Sequence, residues 1–149
     1  MNKLFALLVF LVFCFAGSAE LVAGPLPKIA TTADNIAIQG YDPVAYFTMS
    51  RPMKGSPEHE YVWEGARWQF ANAEHKKMFT ADPARYAPQW GGYCAGGMVM
   101  GMAYHPLPDV WAIVDGKLFL RSVPTPWAEW RRTADLHTGA RNYSALTTP

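Results

Sequence analysis

Two dipeptides, Glu64-Gly65 and Asp115-Gly116, constrain this chain more than any other feature of it. Each interrupts a run in which large side chains alternate. Before the first, Tyr61 and Trp63 alternate with Val62 and Glu64; after it, Trp68 and Phe70 alternate with Arg67 and Gln69. A period of two puts alternate side chains on one face of a strand. An acidic residue followed by glycine suits a tight two-residue hairpin turn. EYVWEGARWQF, residues 60–70, therefore predicts a β-hairpin, and VWAIVDGKLFLRS, residues 110–122, predicts a second.

Between the hairpins the pattern turns helical. Asn72 is a natural N-cap for NAEHKKMFTAD, which must end before Pro83. The inward face of that helix uses Ala71, His75, Met78 and Phe79. Asp42-Pro43 places a capping side chain just before a proline at the first helical position. PARYAP gives one further turn of helix. Residues 90–104, apolar and glycine-spaced, predict a helix, and NIAIQG predicts a short strand ended by Gly40. PTPWAEWRRTADLHTGARNYSAL predicts one or two helices over an end of the sheet. No internal repeat is legible. Short links between hairpins and helices make an α+β fold, with both hairpins in one antiparallel sheet, the natural class. Trp63, Trp68, Phe70, Phe79 and Trp111 should share its core.

The first residues set the compartment. A basic start is followed by the apolar run Leu4–Ala16 and small residues at Gly17 and Ala19, the pattern of a secretory signal peptide over residues 1–19. The apolar run is shorter than the about 20 residues a membrane span needs. A periplasmic or secreted protein follows, with no stable membrane insertion after cleavage. Residues 20–34, with two prolines and little pattern, predict a mobile arm. Removing 19 of 149 residues leaves 130, and the loss of Lys3 leaves 12 basic against 12 acidic side chains. That balance gives no electrostatic case for nucleic acid. It also leaves Cys94 as the one cysteine, since Cys14 departs with the signal. A lone thiol in an oxidising compartment is buried, bound, paired with another chain or reactive.

GYDPVAYF (40–47), WEGARWQFANAEHKKMFTADPARYAPQWGGYCA (63–95) and WAIVDGKLFL (111–120) resemble the secreted YHS-domain family. The resemblance covers about residues 35–135 and implies a YHS-like domain over 35–149, exported and without a settled activity. The wider family is similar to metal-binding modules of copper-transporting ATPases. Its skeleton is intact here in Asp42-Pro43-Val44, Trp68, Phe70, Phe79, Pro83 and Tyr86. Its ligand positions are not: they hold Ala45, Ala71 and His75, and alanine offers a metal nothing.

The stretch YCAGGMVMGMAYHP, residues 93–106, carries the remaining chemistry. On a helix with Cys94 at zero, Met98, Met102 and His105 fall at about 40°, 80° and 20°. Cys94 and His105 would stand about 16 Å apart along the axis, too far to share an ion. Neighbours four apart can share one, so Cys94 with Met98, or Met98 with Met102, and a third donor from His75 or His105, form a candidate soft-metal site. Thioether and thiolate donors favour copper as Cu(I). Two other readings stand beside this one. Cys94 could be plain core in a metal-free interaction or structural module, with methionines filling gaps. It could also be the nucleophile of a thiol enzyme or redox protein, near a helix N-terminus that lowers its pKa. No Ser/His/Asp context or phosphate-binding loop is present, so no catalytic residue is assigned.

Overall fold

The computed structural model describes residues 24–149 except Thr125; the expected signal peptide over 1–19, with Cys14, and residues 20–23 lie outside the described residues. The fold is α+β. A 3-10 turn at Ile38–Gly40 leads to α1 (Ala45–Thr48), then to the strands β1 (Ser56–Trp63) and β2 (Ala66–Phe70). α2 (Ala73–Ala81) and α3 (Pro83–Tyr86) follow, then a second 3-10 turn at Gln89–Gly92 and α4 (Ala95–Val99). β3 (Leu107–Val114), β4 (Lys117–Arg121), α5 (Trp127–Thr133) and α6 (Leu136–Thr147) complete the chain. No helix among the described residues is long and apolar enough to cross a membrane.

Both hairpins form at the expected turns. Glu64 and Gly65 have φ of 50° and 75°, and Asp115 and Gly116 have 52° and 74°, the left-handed pair of a type I′ turn. β1 pairs with β2 and β3 with β4, each as its own two-stranded antiparallel sheet rather than as one sheet. α2 begins where its cap predicts: the Asn72 side chain accepts the His75 main-chain N–H at 2.8 Å.

Two local expectations give way to backbone geometry. NIAIQG is not a strand. Ile38, Gln39 and Gly40 all have positive φ, so the chain turns there and makes only single bridges, such as Ile36 to Arg67. Residues 90–104 are not one helix either. Trp90, Gly91 and Gly92 have positive φ before α4, and Gly101 has φ of 75° just after it. The Met102 N–H bonds back to the Gly97 carbonyl at 2.8 Å and closes the helix off. The single stripe of Cys94, Met98, Met102 and His105 therefore does not exist.

Residues 24–34 belong to the folded body. Ile29 and Ala30 are buried. The Ala30 N–H bonds to the Gly91 carbonyl at 2.9 Å, and the Tyr93 hydroxyl donates to the Pro27 carbonyl at 3.0 Å. The Lys28 carbonyl passes so close that a Cβ on Gly91 would lie 1.8 Å from it. The arm expected over 20–34 is thus packed where it is described, because its apolar residues find a groove that sequence alone does not reveal.

Two apolar clusters fill the interior. The first joins Val44, Tyr46, Trp68, Phe70, Phe79, Leu118 and Leu120, with Trp63 and Trp111 packed against it. The second joins Ala30, Trp90, Tyr93, Met98, Phe119 and Trp130. Phe79 is central to the first: the rings of Trp68 and Phe70 each lie 5.1 Å from it, a spacing that adds ring attraction to area burial. Trp68→Ala should cost about 3–5 kcal/mol in urea denaturation; a loss under about 1 kcal/mol would contradict this packing.

Candidate functional site

Cys94 is positioned by the turn before it. Three positive-φ residues and an extended Tyr93 reverse the chain and deliver Cys94 as the N-cap of α4. The residue is 3 % exposed. Sγ accepts the Ser122 main-chain N–H at 3.2 Å. The N–H groups of Gly96 and Gly97, in the first turn of α4, are also directed at the sulfur. The Ser122 hydroxyl lies between two acceptors, the His105 carbonyl at 2.8 Å and the sulfur, and its one proton serves one of them at a time. Burial pushes the thiol pKa up, but these donors outweigh it and the net shift is downward.

Arg121, the last residue of β4, adds positive charge beside the sulfur. A Cβ on Gly96 would lie 3.9 Å from both Arg121 Nε and Cys94 Sγ, which places the two groups on either side of the same point. The guanidinium stacks on the faces of Trp127 and Trp130, 5.1 and 5.5 Å from the ring centres. Cys94, Arg121 and Ser122 line a cavity of about 400 Å³ whose other walls include Met100, Met102 and Tyr104. Met100, Tyr104 and Val123 on this cavity are also exposed to solvent, which leaves the cavity a largely apolar rim.

The predicted ligand residues separate. Cys94 and Met102 line the same cavity, and Met102 Sδ accepts the Tyr104 hydroxyl at 3.0 Å. Met98 is fully buried in the second core cluster and does not line the cavity. The His105 ring stands against Tyr93, with centres 6.3 Å apart, and meets Cys94's neighbour Ser122 only through its carbonyl. His75 is engaged elsewhere: its Nδ1 lies 2.6 Å from the Asp42 carboxylate and its Nε2 lies 3.2 Å from the Thr48 hydroxyl. Among the described residues, no three His, Cys, Asp or Glu side chains converge as a metal site.

Asp42 is fully buried. Its Oδ1 accepts the N–H groups of Val44 and Ala45, at 2.8 and 3.4 Å. Its Oδ2 accepts the Ala71 N–H at 2.9 Å and faces His75.

The chain matches no family model, no curated protein and no solved structure. Sequence reasoning missed Arg121 and Ser122. The signal for Arg121 was a charge at the end of a strand whose preceding residues, Leu118, Phe119 and Leu120, are all apolar and all buried. An amide in place of the carboxylate would turn an NH2 toward the Ala71 N–H and leave a buried donor unpaired, so Asp42→Asn should cost about 1–3 kcal/mol. Chemical denaturation at neutral pH measures this, and a cost below about 1 kcal/mol would show that the carboxylate is not needed.

Proposed function

We propose that this chain is an exported YHS-like binding domain that captures a small soft ligand in the Cys94 cavity. One observation carries the proposal: the Cys94 sulfur, which accepts the Ser122 main-chain N–H, lies on a cavity of about 400 Å³ with mostly apolar walls. A thiolate is the ligand and nucleophile of choice for soft partners. Arg121 beside it disfavours a doubly charged cation by simple Coulomb repulsion. Singly charged Cu(I) and uncharged thiophilic molecules meet less opposition.

Cys94 and Met102, two soft side chains lining one cavity, support copper as Cu(I) as the preferred ligand. His75, committed to Asp42, supplies no donor to this pair. Thiol reactivity is the second reading, favoured by the N–H groups of Gly96, Gly97 and Ser122 around the sulfur.

Competition with a Cu(I) chelator tests the metal reading. Cys94→Ser and Met102→Leu should each weaken copper retention at least about tenfold, which corresponds to about 1.4 kcal/mol. Met98→Leu, a near-isosteric change in the core, should leave retention unchanged. Equal retention by all three variants, or none by the parent protein at micromolar copper, would dismiss Cu(I) as the ligand.

A further inference from the structure

The two hairpins share their dimensions. β1 and β3 each have 8 residues and β2 and β4 each have 5, joined by the two left-handed turns. Both ladders slip at the same place, between Ser56 and Glu60 and between Leu107 and Trp111. In both, the first residue of the long strand pairs with the last of the short one, Ser56 with Phe70 and Leu107 with Arg121.

The chain before each hairpin also follows one course. Ile38, Gln39 and Gly40 have φ of 41°, 55° and 78°, and Trp90, Gly91 and Gly92 have 53°, 64° and 81°. An extended tyrosine follows each triplet, Tyr41 and Tyr93. The next residue sends its main-chain N–H to a carbonyl just ahead of the hairpin: Asp42 to Met53 and Cys94 to Tyr104, both at 2.8 Å. A short helix then begins, α1 or α4.

In this correspondence Cys94 takes the place of Asp42, and the main-chain N–H partners of the two side chains match one for one. Asp42 accepts the N–H groups two and three residues on, from Val44 and Ala45; Cys94 accepts those of Gly96 and Gly97. Asp42 also accepts the N–H of Ala71, the residue after β2, and Cys94 that of Ser122, the residue after β4. Little of this shows in the sequence, since the matched segments share little beyond Gly40/Gly92, Tyr41/Tyr93, Pro57/Pro108 and Gly65/Gly116.

We infer that the domain is two copies of one folding unit, residues 38–71 and 90–122, and that Cys94 stands in the second unit in the main-chain N–H seat that its counterpart Asp42 fills in the first. Several N–H groups aimed at one point form a seat for an anion. In the first unit His75 closes over that anion. In the second the sulfur adjoins the cavity. This inference does not depend on what the cavity binds.

Cys94→Asp puts in the second unit the residue that the first unit uses, while Cys94→Asn is its neutral isostere. At pH 7 Cys94→Asp should have the higher urea midpoint. A carboxylate whose folded pKa is depressed stabilises above its unfolded value, so the advantage should fade below about pH 4. A lower urea midpoint for Cys94→Asp than for Cys94→Asn overturns the equivalence of the two seats. Failure to retain copper would sink the metal reading and leave this result standing.

Discussion

The Asp42 carboxylate, with no exposed surface, accepts hydrogen bonds from the start of α1, from the residue after β2 and from the side chain of His75 in α2. Three pieces of chain that meet nowhere else in sequence are thereby tied to two oxygen atoms. An ion taken out of water costs several kcal/mol unless its lone pairs are satisfied. Here three main-chain N–H groups and an imidazole satisfy them. The same bonds fix α1 against β2, and so place Val44, Tyr46, Trp68 and Phe70 in one apolar cluster. The core is assembled around the polar knot rather than beside it.

What the sequence made legible was whatever repeats with a short period or rests on a local cap. The hairpins appear because alternation and an acidic-glycine turn are both local signals. α2 appears because Asn72 and Pro83 bracket it. Three things did not appear. The turn at 38–40 looks like a strand because Ile38 and Gln39 adopt positive φ, which their side chains give no sign of. The stretch 90–104 looks like a helix because its glycines were taken as small residues, when Gly91, Gly92 and Gly101 are there for their φ. The tandem plan is hidden because the two units keep the backbone path and exchange nearly every side chain.

The candidate site was half legible. Cys94 and Met102 share a cavity as soft residues, and Cys94 stood out as the single cysteine outside the expected signal peptide. The helical wheel then grouped it with Met98 and His105 through a helix that ends at Val99. The groups that set the chemistry of the sulfur are main-chain N–H groups and an arginine from a distant strand. No spacing rule in a linear chain points to them, since Ser122 lies 28 residues from Cys94.

The segment around Lys28 has a kinetic side. Its carbonyl accepts the hydroxyl of Tyr143, 115 residues away, and the Leu26 N–H reaches the Leu146 carbonyl at 2.7 Å. Contacts of such span close only after nearly the whole chain is available, and they slow folding relative to local ones. The segment made early thus waits for one of the last elements made, α6, before it can be covered. Until then the groove of Gly91 and Trp90 stands open to solvent. The two hairpins close over short loops, so each can form early, while the seam between the first and last described segments closes late.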